Sequence, residues 1–250
     1  MNILKKEILF LTNVNKKNME KENSGIFFIA DLHLKHENIL RFHNDRAKRF
    51  GIEETFDIEK HDQEIIDMIH SQTKRGDHLY IVGDLVLSNQ EESRKILHRI
   101  KSKGLKLHLI EGNHDKSTHK MYDMFESIDM IKVLNFHQKA YPFLEDELFQ
   151  CVLCHYPILS WFNKARGSCM VHGHTHNNAP HENDGYDLRF NVGLDAPLSD
   201  YGLISLEKLY EAYRSKINSI TNSHTELVGT HIEPKQYIEI VSKDTSNFIR

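Results

Sequence analysis

Asp31 with His33, Asp84, Asn113 with His114, His155, and His174 with His176 are carboxylate, carboxamide and imidazole groups in five short pieces of the sequence, each following an apolar run. Such groups are costly to bury unless they are paired or hold an ion. Five placements of this kind ask for one explanation, and the chemistry they fit is phosphate ester hydrolysis on two divalent metal ions. A phosphate ester repels nucleophiles with its own charge. Two ions about 3.5–4 Å apart neutralise that charge and acidify a bridging water, so that hydroxide is available at neutral pH.

The spacing supplies the donors. Residues two apart on an extended chain share a face, so Asp31 and His33 can chelate one ion, and His174 and His176, behind Gly173, can send one imidazole to each. One carboxylate must reach both ions. Asp84 is the natural bridge, because Gly83 lets the backbone turn close to the metals. Asn113 offers a neutral oxygen that adds no negative charge beside an anionic substrate, and His155 gives the remaining nitrogen. Mixed nitrogen and oxygen donors suit manganese, iron, nickel or zinc better than calcium or magnesium. His114 follows a ligand directly, so its ring points elsewhere, toward the leaving oxygen; a histidine, whose side-chain type titrates near 6.5 when unperturbed, can serve there as general acid. Asp115 either orients His114 or caps the following turn.

These groups need strand ends to carry them. The continuous apolar runs at 26–30 and 79–82 read as strands buried on both faces, delivering Asp31 and Gly83-Asp84, and a third strand at 105–110 delivers Gly112-Asn113-His114-Asp115. Between them a helix is expected over 61–75, with Gly76 as its cap, and another after a Ser88/Glu91 capping box, closed by Gly104. Strand, helix, strand, helix, strand implies right-handed parallel crossovers and an α/β fold. Beyond Met130 the pattern becomes strand-rich, at 131–136, 149–154, 168–171 and 188–192, which predicts a second sheet; helical periodicity returns at 206–213. Residues 1–24 read as a polar arm, 25–215 as the domain, and 216–250 as an extension with one edge strand at 237–241.

Composition narrows the partners. The 250 residues carry 39% apolar content and a mixed net charge of -4, so no strong field draws the chain to nucleic acid or an anionic membrane. No apolar run approaches the roughly 20 residues of a membrane span, and the short run at 8–11 lacks a cleavage site. Cys151, Cys154 and Cys169 form neither a disulfide framework nor a zinc knuckle, and read as reduced thiols in the cytoplasm. Cys154, next to His155, is expected to be an inert buried thiol.

With Asp31-x-His33, Gly83-Asp84, Gly112-Asn113-His114-Asp115, His155 and Gly173-His174-x-His176 in this order over residues 25–195, the chain resembles the calcineurin-like metallophosphoesterase superfamily. That resemblance implies a four-layer αββα sandwich of two mixed sheets flanked by helices. It implies one metal on Asp31, His33, Asp84 and His176, the other on Asp84, Asn113, His155 and His174, with His114 as the acid and Mn2+ as the first expectation ahead of Fe, Ni or Zn. Gly83-Asp84 is followed by Leu85-Val86-Leu87-Ser88 rather than the Asp-Arg-Gly of the serine/threonine protein phosphatases, which argues against that activity. The 250 residues leave no room for the capping and coiled-coil regions of the large repair nucleases. The compact bacterial and phage phosphoesterases are the nearer likeness, and in them a segment like 31–39 also occurs.

The reading is therefore a dinuclear phosphoesterase acting on phosphodiesters, nucleotide or small organic, with Asn113, His114, His36, Asn38, Arg41 and Arg166 as substrate contacts. For His36, Asn38 and Arg41 a plain helix start is an equal alternative, and for Trp161, Phe162 and Arg166 a hydrophobic lid on the second sheet is the favoured one. Phosphomonoester or nuclease activity is the runner-up, the latter weakened by scattered basic residues. A non-catalytic scaffold is the alternative of another class; it should have lost ligands or the acid, and none is missing.

Overall fold

A computed structural model of the protein describes residues 24–178 and 187–228, the last seven for their backbone only. The apolar runs become strands β1 (Ile26–Ile29), β2 (His78–Val82) and β3 (Lys106–Ile110), joined in parallel register with Ile29 opposite Ile81 and Ile81 opposite Leu109. A short strand that the sequence did not announce, β4 (Ser127–Asp129), adds in parallel to β3, and β9 (Ile204–Ser205) closes the other edge antiparallel to β1, for the order β4-β3-β2-β1-β9. Both are too short to show a period of their own. The second sheet is β5 (Ile131–His137), β6 (Leu148–Cys154), β7 (Cys169–His172) and β8 (Arg189–Asn191), antiparallel between β5 and β6 and parallel beyond. The architecture is mixed α/β with two mixed sheets.

Alternation along the strands decides what each face meets. Ile29, Leu79, Ile81, Leu107 and Leu109 turn to the helices α3 (Ile58–Gln72) and α4 (Gln90–Lys101), which bury Ile65, Ile66, Ile69, Ile96, Leu97 and Ile100 against them. Phe28, Ala30, Tyr80 and Val82 turn the other way and share a core with Phe149, Cys151, Leu153 and Val171 of the second sheet. Helix α5 (Leu206–Val228) runs through the boundary expected after residue 215 and places Leu209, Tyr210, Tyr213 and Ile217 in that same inter-sheet core. The sheets also meet at the end of β1, where Ala30 N–H donates to Val192 O at 2.8 Å and Leu194 N–H donates to Ala30 O at 2.9 Å. This stitch holds the next residue, Asp31, where both sheets end.

Helix limits differ from expectation for local reasons. Helix α3 starts three residues earlier than residue 61, because the Asp57 carboxylate accepts the N–H groups of Glu59 at 3.0 Å and Lys60 at 3.1 Å. It stops at Gln72, where Thr73 turns extended, and Gly76 is not its cap: the Gly76 N–H donates to Gly104 O at 3.0 Å. Helix α4 is capped by Asn89, whose side chain accepts from Glu92 N–H at 3.0 Å, rather than by Ser88. Two short helices, α1 (Ile39–Phe42) and α2 (Asn44–Arg49), follow β1. The arm expected over 1–24 lies outside the described residues up to Asn23, as does the strand expected at 237–241. Among the described residues no helix is long and apolar enough to cross a membrane.

Candidate metal centre

Parallel pairing brings the ends of β1, β2 and β3, and of β6 and β7, to one edge, and all seven expected ligands gather there. The donor atoms of Asp31, His33 and His176 lie within 4.8 Å of one another, and so do those of Asp84, His155 and His174. Donors on one ion, with bonds of about 2.0–2.2 Å, stand roughly 3–4.4 Å apart, so each trio is close to a coordination sphere. Asp84 joins the two: its Oδ2 lies 3.6 Å from His33 Nε2 and 3.4 Å from His155 Nε2. The other oxygen, Oδ1, accepts the His114 N–H at 2.9 Å. Asn113 Oδ1 stands 3.2 Å from His155 Nε2, on the second trio.

The backbone is bent to achieve this. Asp31 (φ 57°), His33 (φ 50°), Asp84 (φ 55°), His174 (φ 73°) and His176 (φ 51°) all sit in the left-handed region, where a non-glycine residue costs roughly 1–3 kcal/mol. Such residues persist where surrounding structure over-determines them, here the two buried cores and the turns they anchor. The glycines serve close approach as much as turning. A methyl carbon on Gly83 would stand 2.1 Å from His155 Nδ1, and one on Gly112 would stand 2.3 Å from Asp84 Oδ1.

Hydrogen bonds turn lone pairs toward the centre. His155 Nδ1 donates to Val82 O at 2.9 Å, and His176 Nδ1 donates to Asp195 Oδ2 at 3.0 Å, each leaving Nε2 free to ligate. His33 Nδ1 lies 3.3 Å from His36 Nδ1, while His33 Nε2 is buried with no hydrogen-bond partner among the described residues. Burial, helped by the charge of Arg46, pushes the His33 pKa down to about 2, so the imidazole is a neutral donor. An orphaned nitrogen among carboxylates is what a metal would satisfy, and the donor set fits. Burial pushes Asp31 up to about 6 despite His176 and His155 nearby. Burial also works against the charges of Asp84 and His155, but their mutual hydrogen bond dominates, holding Asp84 at about 2 and raising His155 to about 8.

Around the ligands stand groups that the motifs did not indicate. Arg46 is fully buried; its guanidinium donates to Asp31 O at 2.9 Å, Leu32 O at 3.2 Å and Asp195 Oδ2 at 3.1 Å. Burial would raise the Asp195 carboxyl, yet the hydrogen bond from His176 and the charge of Arg46 hold it well below the usual carboxylate range. His43, His176 and Asp195 also have donors within 4.8 Å of one another. Because Asp195 is committed to Arg46 and to His176 Nδ1, this trio is a support of the first sphere and not a third one. Asp62, fully buried, accepts the Lys35 N–H at 3.0 Å and pins the far end of the same loop. The available sequence signal was Asn191-x-Gly193-x-Asp195 directly after a strand: Asn191 Nδ2 donates to His176 O at 2.7 Å, and its Oδ1 accepts the Gly193 N–H at 2.8 Å.

Other expected residues divide. His114 is half-buried with its ring edge-on to His33 at 5.3 Å, and His36 sits beside both, 5.3 Å from His33 and 5.8 Å from His114 between ring centroids. Asp115 does not orient His114. Its carboxylate accepts the N–H groups of Asp84 and Gly112 at 2.8 Å and of Leu85 at 3.0 Å, tying two ligand loops together. Asn38 begins α1 and Arg41 lies over the Phe56 ring at 5.3 Å, so for these two the helix-start alternative describes the arrangement. Trp161 is a buried lid on Val152, Cys154 and Met170, while Phe162 and Arg166 are exposed beside it, the Arg166 N–H on Asn163 O. Cys154 is a buried free thiol whose pKa burial raises.

No protein-family model matches the chain. It is 22% identical over 206 residues to the Gene 66 protein of Mycobacterium phage L5, covering 75% of this chain and 93% of that one. The crystal structure of a protein of unknown function from Aquifex aeolicus superimposes with a TM-score of 0.56 at 22% identity, over 76% of this chain and 100% of that one. At this identity the structural likeness speaks for the fold.

Proposed function

We propose that the protein is a dinuclear metal-dependent phosphoesterase of the calcineurin-like type, hydrolysing phosphodiesters, nucleotides among them. The observation that carries the reading is the position of one oxygen, Asp84 Oδ2, at 3.6 Å from His33 Nε2 and 3.4 Å from His155 Nε2, between two trios of metal-competent donors. In this reading Asp31, His33, Asp84 and His176 hold one ion and Asp84, Asn113, His155 and His174 the other, with manganese first and iron, nickel or zinc as alternatives. A bound pair of divalent ions would supply an acidified water at neutral pH and neutralise the phosphoryl oxygens.

The chain's own residues do the rest. Asn113 contributes an uncharged oxygen at the exposed side, so the substrate's anion meets less repulsion than a second carboxylate would impose. His114 has its backbone N–H fixed on Asp84 Oδ1 at 2.9 Å, which leaves its half-exposed ring as the group that gives a proton to the leaving oxygen. His36, beside His33 and His114, orients the departing group. The αββα sandwich belongs to the same proposal, supported by α3 and α4, which form one outer layer. So does a cytoplasmic place of action, supported by the odd number of cysteines, Cys151, Cys154 and Cys169.

The test is a panel after reconstitution with Mn2+: bis-p-nitrophenyl phosphate, the monoester, cyclic dinucleotides, 2′,3′-cyclic nucleotides and single-stranded DNA, with His114→Ala as control. Diester turnover that needs the metal and falls on the order of 100-fold in His114→Ala is the expected result. Two bound ions with no turnover of any substrate would move the reading to a scaffold.

A further inference from the structure

We propose that a concavity beside the first trio is a nucleobase subsite, so that the substrate's phosphoryl group lies on the metal centre while its base lies here; this rests on the phosphoesterase reading. The cavity measures about 210 Å³, below the roughly 300–1,000 Å³ of sites for larger organic ligands and on the scale of one planar heterocycle. It lies beside the centre: His43 in its wall stacks on the His176 ring with centroids 4.1 Å apart.

Two aromatic rings line it, Phe42 at the rim and Tyr201, which also packs against the core between the first sheet and its helices. Phe42 ends α1, whose Ile39 and Leu40 fill the interior, and its own ring is left 73% exposed at the cavity rim. Tyr201 is presented by two consecutive left-handed residues, Asp200 (φ 45°) and Tyr201 (φ 60°), and is braced from behind by Phe50 at 5.8 Å and Arg49 at 5.5 Å. Two aromatic side chains in the wall of one small cavity are surfaces on which a planar heterocycle can stack. The polar lining says which kind. Asn44, Asn177 and Asn178 offer amides that both donate and accept, as a base edge requires. Asp45 adds a carboxylate, Asp195 being engaged by Arg46 and His176, and among the described residues no lysine or arginine lines the cavity. A phosphate would be repelled here, whereas the amino and imino groups of a base would be accepted.

The test is equilibrium binding by calorimetry to the full chain, with and without Mn2+, of adenosine, guanosine, cytidine and uridine 5′-monophosphates against ribose 5-phosphate. At least one nucleotide should bind on the order of tenfold tighter than ribose 5-phosphate. Phe42→Ala and Asn177→Ala should bring that ratio toward one, and Phe42→Trp, which keeps a ring, should retain it. Equal affinities in the unsubstituted chain, no nucleotide binding, or a ratio that survives Phe42→Ala would overturn the subsite. A base-dependent ratio in a chain that hydrolyses no phosphoester would remove the phosphoesterase reading and leave the subsite standing; metal-dependent hydrolysis with a ratio of one would do the reverse.

Discussion

The two halves of the centre are built from the same residue types but are held in place by different means. Asp31, His33 and His176 are backed by buried charge: Arg46 grips the Asp31-Leu32 carbonyls and Asp195, and Asp195 in turn accepts the His176 Nδ1–H. Asp84, Asn113, His155 and His174 are backed by main chain: His155 rests on Val82 O, Asp84 on the His114 N–H, and Asp115 collects three backbone N–H groups from the two loops. A buried ion pair fails abruptly when one partner goes, since the other is left as an uncompensated charge. Backbone hydrogen bonds fail singly and by less. Stability of the first half should therefore depend on one side chain, and that of the second should be shared.

The largest effect follows from Arg46→Ala. It strands Asp195 and two buried carbonyls, and unfolding free energy should fall by roughly 3–5 kcal/mol, with one of two metal-binding events weakened in calorimetry. Unchanged stability would break the contrast between the halves. Asp115→Ala removes the acceptor of three N–H groups, two of which can turn toward water only by opening a ligand loop; a loss of about 2 kcal/mol is expected in urea unfolding, smaller than for Arg46. If Asp115→Ala costs more, the main-chain half is the fragile one. His36→Ala, at the mouth between the halves, should raise the Michaelis constant for a diester about twofold to tenfold, by loss of one hydrogen bond, and leave melting nearly unchanged. An unaltered rate and Michaelis constant would return His36 to the helix start.

The smallest effect is a control outside both halves. His108 stacks on Tyr80 at 4.3 Å, and burial, with His78 and Lys132 nearby, pushes its pKa down to about 4 from 6.5. The folded protein then binds fewer protons than the unfolded chain between those values, so stability is full above about 6.5 and declines as pH falls toward about 4. His108→Phe, which keeps the stack, should flatten the slope of stability against pH in that window by at most about one proton. An unchanged slope would assign the titration to other histidines.

What could be read from the sequence follows from period and chain order. The buried strands and both ligand pairs at spacing two were legible, because apolar runs ended by polar groups leave a local mark. Strands β4 and β9 were not, being three and two residues long with pairing set by their neighbours. Nor was Arg46, a charged residue in a charged run, Asn44–Arg49, whose burial exists only once Asp195, 149 residues away, is beside it. For Asp115 the sequence left orienting His114 and capping the turn open, and neither disclosed the backbone of Asp84, which it faces across the sheet. The candidate ligands carried their signature in type and spacing, whereas the residues that hold them in place did so only in three dimensions.

The central claim is that one carboxylate, Asp84, joins two metal sites. The most direct measurement is electron paramagnetic resonance of the chain titrated with Mn2+, before and after Asp84→Asn. The account predicts a spin-coupled pair at two ions per chain, and loss of the coupling with no more than one tightly held ion in the variant. Uncoupled ions in the unsubstituted chain, or a coupled pair that survives Asp84→Asn, would contradict it.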